Sequence, residues 1–329
     1  MKTVLNHFET SEAYHNLNKS SSKDAYKARL YTTASLAVYD LVFSLIQFLS
    51  HKPKIGVVRK GHSVIEKMIP HFLRLQIPLQ SPEIGQNIFT FLQTIDKETN
   101  FVLWSSENEI TGEYLYSDAD CLEIHKQLSA KRIFSIQIFN SKRNISHQEI
   151  LKNNYAVLVE GDDLFQQNPI SYFYTDKFKA PPLIGPLQDI QGLMQLVGNS
   201  EKASADLQSL HLQSLHQSDW EKIENQLSQC SYFKKFISPI GRTLDRFVFA
   251  DNSLSGERLK QALVAQGVAS ADLFAASSLP TWQLDTWKNW WPEAENEKFI
   301  RGLLIVSEKA FVQNKNLPEI IKSSLQKKS

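Results

Sequence analysis

A few places in this 329-residue chain carry side chains whose chemistry goes beyond packing. Thr32-Thr33-Ala34-Ser35 stands directly before an apolar stripe of helical spacing, so its hydroxyls and the first helical N–H groups make an anion-attracting end. The same residues suit a plain N-cap. His62 follows an apolar run and carries a ring that can stack or titrate near neutral pH, although a surface-loop histidine needs no such role. Asn108-Glu109-Ile110-Thr111-Gly112 follows another run and offers an amide, a hydroxyl and a turn glycine. Glu160, Asp162 and Asp163 form an acidic cluster that could serve as acid, base or metal site, but no histidine follows at ligand spacing. Arg301 has the fork to hold a carboxylate bidentately, or to form an ordinary salt bridge. Lys142, after Ser141, is the amine that follows the third apolar run.

Other chemistries lack their parts. No Gly-x-Gly-x-x-Gly or Gly-x-x-x-x-Gly-Lys sequence occurs, so nucleotide cradles have no support. His211 and His216 are five apart and do not share a helix face as a metal pair would. Cys121 and Cys230 are too few for a disulfide framework. Lys+Arg 36 against Asp+Glu 35 leaves a net charge of +1, which argues against nucleic acid or an anionic membrane as partner. Glycine is scarce, 12 residues where roughly 7% usage would give about 23. The N-terminal residues are polar and no apolar stretch is long enough to span a bilayer, so a soluble cytoplasmic protein is expected.

The elements that must position these groups follow from hydrophobic patterning. Residues 1–30 read as a polar arm. Val38, Leu41, Val42, Leu45, Ile46 and Leu49 make one helical stripe. Short apolar runs at 55–58, 101–104, 134–139, 156–159 and 170–174 alternate with helices at 63–75, 118–130 and 147–152. Runs without clean alternation, separated by helices, predict a mainly parallel sheet covered on both faces. Residues 187–230 read as largely helical. A strand–helix–strand–helix block follows at 246–250, 254–266, 299–306 and 317–327. The expected fold class is therefore α/β: a three-layer α/β/α large domain over 31–238 and a small α+β domain over 239–329. Trp287, Trp290 and Trp291 share one helical face and, with Trp282, suit either domain packing or a contact patch.

In this order the motifs resemble the fold-type I pyridoxal-phosphate proteins, the superfamily of aspartate-type aminotransferases and cysteine desulfurases. Thr32-Thr33-Ala34-Ser35 sits where that family holds the cofactor phosphate. Ser105 to Glu113 looks like its Asn-x-x-Thr-Gly segment, Pro181-Pro182-Leu183-Ile184-Gly185 is similar to the region after its lysine strand, and Phe299-Ile300-Arg301 opens the strand that binds a substrate carboxylate. The likeness spans about residues 30–325 and implies a homodimer. It also implies a ring-stacking role near His62.

The resemblance further implies a lysine bonded to the cofactor aldehyde and an Asp facing the pyridine nitrogen. The Asp position falls near Phe139, and no acid lies between Arg132 and Gln148; Asn140 can hydrogen-bond a ring nitrogen without charging it. The lysine position falls on Gly161-Asp162-Asp163, and no lysine lies between Lys152 and Lys177. An acid there repels a phosphate and forms no bond to an aldehyde. The expectation is a non-catalytic aminotransferase-like scaffold, a pseudoenzyme with a binding or regulatory role and no cofactor. Its vestigial pocket would include Thr32, Thr33, Ser35, His62, Asn108, Asp163 and Arg301. The alternative is an active pyridoxal-phosphate transferase or lyase with a displaced lysine, Lys142 being the first to test.

Overall fold

The structure, a computed structural model, describes residues 27–31, 34–49, 52–83, 85–139, 156–160, 170–174, 217–230, 233–234, 240–241, 246–250, 256–278 and 300–326. The helix expected at 147–152, the four tryptophans at 282–291, His211, His216 and the 181–185 segment lie outside the described residues. The chain divides into two compact units. One takes Met1–Glu107 and Leu115–Gln208; the other takes Asn108–Tyr114 and Ser209–Ser329.

In the first unit, seven strands form one sheet in the order β1-β7-β6-β5-β4-β2-β3. They are β1 (Lys27–Tyr31), β2 (Lys54–Val57), β3 (Leu79–Gln80), β4 (Thr99–Ser105), β5 (Phe134–Phe139), β6 (Ala156–Glu160) and β7 (Ile170–Tyr174). β3, β2, β4, β5 and β6 run parallel, and β7 is antiparallel to both of its neighbours, β6 and β1. Residues 27–30, expected in the polar arm, are strand. Lys27-Ala28-Arg29-Leu30 alternates polar and apolar residues, the period of a strand with two unlike faces.

Alternation along the strands sorts the core into two layers. Phe101, Leu103, Ile136 and Ile138 pack with α1 (Ala34–Phe48) and α2 (Ser63–Arg74). Val102, Trp104 and Phe139 pack with α3 (Ile88–Thr94) and α4 (Asp118–Ala130). Helices therefore cover both faces, which is why Phe101–Trp104 is a continuous apolar run and Phe134–Phe139 is apolar apart from Ser135 and Gln137. Ser117 starts α4 with a capping box: its Oγ accepts from Asp120 N while the Asp120 carboxylate accepts from Ser117 N.

One buried polar network crosses the second layer. His125 of α4 meets Gln137 of β5 through Nε2 and Oε1 at 2.6 Å, and Gln137 Nε2 donates to Cys121 Sγ at 3.8 Å. Trp104 Nε1 donates to Ser135 Oγ at 2.9 Å. Nδ1 of His125 has no hydrogen-bond partner among the described residues. Burial holds the imidazole pKa down at about 4, with the Gln137 contact opposing that shift.

The second unit is built on a four-stranded antiparallel sheet, order β10-β11-β9-β8. Its strands are β8 (Phe233–Lys234), β9 (Arg246–Ala250), β10 (Leu273–Ala275) and β11 (Leu303–Ser307). Its helices are α5 (Gln217–Leu227), α6 (Gly256–Val264), α7 (Glu308–Gln313) and α8 (Leu317–Gln326). Trp220 of α5 stacks on Phe247 of β9 with ring centroids 4.0 Å apart, and Leu227 joins the same core. This packing puts α5 in the second unit, although the sequence reading placed it before a boundary at 238.

Candidate functional site

The carboxyl ends of parallel strands are where an open α/β sheet offers loops to a ligand. β2 leaves the sheet through Val58-Arg59-Lys60-Gly61 and enters α2 at His62. Gly61 has φ +106°, and a Cβ there would lie 2.5 Å from the Glu107 carbonyl oxygen and 3.0 Å from Ser105 Cβ. Only glycine suits both the backbone angle and the space.

His62 is buried, not a surface-loop residue, and it is the N-cap of α2. Its Nδ1 accepts from Val64 N at 3.2 Å, a role Ser, Thr, Asp or Asn usually fills. In the neutral ring the proton is therefore on Nε2. Arg59 holds Glu66 in the first turn of α2 through a two-pronged pair, with its NH2 nitrogen 3.0 Å from Oε2.

β4 ends beside this turn. The Ile138 carbonyl of β5 receives Ser106 N at 3.0 Å, Ser106 Oγ at 3.3 Å and Ser105 Oγ at 3.4 Å. Ser105 Oγ also lies 2.8 Å from the Glu107 carbonyl oxygen. Sequence reading listed these serines only as part of a longer segment. Their adjacency at the end of an apolar run was the available signal.

Asn108–Tyr114 belongs to the second unit. Asn108 is buried, and its Oδ1 accepts from Ile110 N at 2.9 Å and Thr111 N at 3.3 Å. Gly112 N returns to the Asn108 carbonyl at 2.8 Å, and Thr111 Oγ1 donates to Glu113 Oε2 at 2.9 Å. The Arg246 guanidinium donates to the Glu109 carbonyl. The Asn-x-x-Thr-Gly segment is thus a closed loop whose amide oxygen is used by its own backbone.

Arg301 does not open a strand. Ile300 and Arg301 form a helical turn, Gly302 ends it, and β11 begins at Leu303. Its side chain is exposed. The register of β11 is set by the all-buried Leu303–Ser307 run and by Gly256, whose Cα lies so close to the Leu303 carbonyl that a Cβ would collide with it. Ser35 lies in the first turn of α1. Thr32, Thr33, Asn140, Lys142, Asp162 and Asp163 lie outside the described residues.

β5 and β6 end side by side, with Phe139 opposite Glu160. These are the two strand ends at which the resemblance expects the pyridine-facing Asp and the cofactor lysine. The chain continues there as Asn140 from β5 and as Gly161-Asp162-Asp163 from β6. In the sequence no acid lies between Arg132 and Gln148 and no lysine between Lys152 and Lys177, and residues 140–155 and 161–169 lie outside the described residues. Among the described residues, no group of three or more His, Cys, Asp or Glu side chains is arranged to hold a metal.

No family model matches the chain, and no curated relative matches it. Solved structures do. A NifS-like protein superimposes with a TM-score of 0.62 at 13% identity, covering 99% of this chain and 88% of that one. A phosphoserine aminotransferase from Cytophaga hutchinsonii gives 0.58 at 10% identity, covering 98% and 89%. A Campylobacter jejuni protein described as an O-acetylhomoserine (thiol)-lyase, solved with N′-pyridoxyl-lysine-5′-monophosphate, gives 0.55 at 12% identity, covering 92% and 82%.

These likenesses establish the fold as that of the fold-type I pyridoxal-phosphate proteins, with an aminotransferase-like layout over nearly the whole chain. They also correct one expectation. The absence of a cofactor was inferred from the missing lysine and aspartate, whereas the C. jejuni neighbour was solved with N′-pyridoxyl-lysine-5′-monophosphate, so the expectation of none is not supported. Among the described residues no helix is long and apolar enough to cross a membrane.

Proposed function

We propose that this chain is an aminotransferase-like protein with a binding or regulatory role, which takes pyridoxal phosphate as an exchangeable ligand and carries out no chemistry on it. The observation carrying this reading is the β5–β6 register, with Phe139 beside Glu160, together with the sequence Gly161-Asp162-Asp163 that follows β6. When bound covalently in enzymes, pyridoxal phosphate supplies an electron sink. The amine and the carboxylate that such use requires are missing from those positions.

In this reading His62 holds the start of α2, and through it the loop from β2, while Gly61 lets that loop lie against the end of β4. The protein acts as a homodimer, the assembly implied by the resemblance.

Equilibrium dialysis tests the proposal. Pyridoxal phosphate should bind saturably and leave completely on dialysis, and light scattering should give a dimer mass. Retention after exhaustive dialysis would contradict the exchangeable-ligand reading. The C. jejuni lysine adduct favours a second reading, an active enzyme with a displaced lysine such as Lys142. Activity lost specifically in Lys142→Ala would establish it.

A further inference from the structure

The opposite edge of the first unit's sheet, at the amino ends of the parallel strands, carries a cavity of about 560 Å³. It is lined by Lys52, Lys54, Lys97, Glu98, Thr99, Asn100, Lys131 and Arg132, five cations against one acid. Such a volume is in the range of small-molecule sites.

Some of this charge is already used. Lys54 Nζ lies 2.5 Å from Asp96 Oδ2 and 2.8 Å from Glu98 Oε2. Lys131 Nζ donates to the carbonyls of Leu92 and Gln93 at the end of α3. Lys52, Lys97 and Arg132 have no ion-pair partner among the described residues, and all three are exposed.

One further observation gives the cavity the character of a site. Arg132 sits at φ +60°, directly after the α4 C-cap. Glycine is the usual residue there, because an L side chain is strained. An arginine at that position places a guanidinium in the cavity lining at a cost to the backbone.

We propose that this cavity binds a small ligand carrying two or more phosphate groups, held by Lys52, Lys97 and Arg132. The chain's net charge of +1 and the local grouping of the cations favour a compact polyanion over a nucleic-acid backbone, which needs an extended basic track.

The test is titration calorimetry with inorganic pyrophosphate and tripolyphosphate on the full chain at low salt. Saturable binding is expected, weakening as ionic strength rises. Lys97→Gln with Arg132→Gln should raise Kd at least tenfold. Arg132→Gly separates the ligand role from a scaffold role: it should raise the melting temperature by relieving the backbone while weakening pyrophosphate binding. The proposal is overturned by absence of saturable heat, by unchanged affinity in the double variant, or by displacement of pyrophosphate by pyridoxal phosphate. An Arg132→Gly variant that binds like the parent would also show that these cations serve only the helix C-termini.

Discussion

Gly61 lies against Glu107 so closely that a methyl group on its Cα would stand 2.5 Å from the Glu107 carbonyl oxygen. This contact joins the loop after β2 to the end of β4, the two segments that carry His62 and Ser105-Ser106. Gly61→Ala faces both a left-handed φ and a backbone clash. It should cost about 2–4 kcal/mol, the sum of αL strain and overpacking. Denaturant unfolding measures it, and a change within about 0.5 kcal/mol of the parent would mean the loop moves freely.

The buried His125 makes stability depend on pH. Its folded pKa is lowered to about 4 from the 6.5 of a free imidazole. Above about pH 6.5 neither state is protonated, and its contribution to stability is at its full value. As pH falls from there to about 4, the unfolded chain takes up a proton that the folded ring refuses. Stability then drops by ~1.4 kcal/mol per unit, about 3 kcal/mol in all. His125→Gln, which can still bond Gln137, should flatten that slope between pH 6.5 and 4. A slope equal to the parent's would assign the acid sensitivity elsewhere.

Asn108 should prove structural by its chemistry. Its Oδ1 serves the N–H groups of Ile110 and Thr111. Asn108→Ala should lose about 1–3 kcal/mol, whereas Asn108→Asp, which keeps an acceptor, should recover most of it. Equal loss in both variants would show that the amide N–H₂ group, not the oxygen, is the part in use.

The large-unit strands were legible because strands buried on both faces are mostly apolar: Phe101-Val102-Leu103-Trp104 is so throughout, and Phe134–Phe139 is broken only by Ser135 and Gln137. β3 is only two residues long and β10 only three, too short to show a period. β1 was hidden inside a polar segment because its side chains alternate. At the site, residue identity was readable but residue use was not. His62 looked like a ring for stacking or a surface-loop residue, and its additional use, Nδ1 accepting from Val64 N at the start of α2, had no sequence signal. Arg301 looked like a strand residue, yet Gly302 ends a helical turn just before the apolar run of β11. The cofactor inference failed for a different reason: finding no lysine between Lys152 and Lys177 bears on covalent attachment, and it was extended to binding itself. Lys52, Lys97, Thr99 and Arg132 were invisible as a group, since three separate connections bring them to one edge.

Phe247 anchors the second unit's core between Trp220 and Phe311, with centroids 4.0 Å and 4.3 Å away. Phe247→Ala should cost about 3–5 kcal/mol. It should also expose Trp220, shifting its fluorescence to the red in the folded state; an unshifted spectrum would place the indole's burial on other neighbours.

The most direct measurement is the intact mass of the protein after incubation with pyridoxal phosphate and reduction with borohydride, followed by peptide mapping. With no lysine between Lys152 and Lys177, the account predicts an unmodified mass beyond the background of surface lysines, together with reversible binding in dialysis. Stoichiometric fixation of one coenzyme on one lysine, at position 142 or any other, would contradict it.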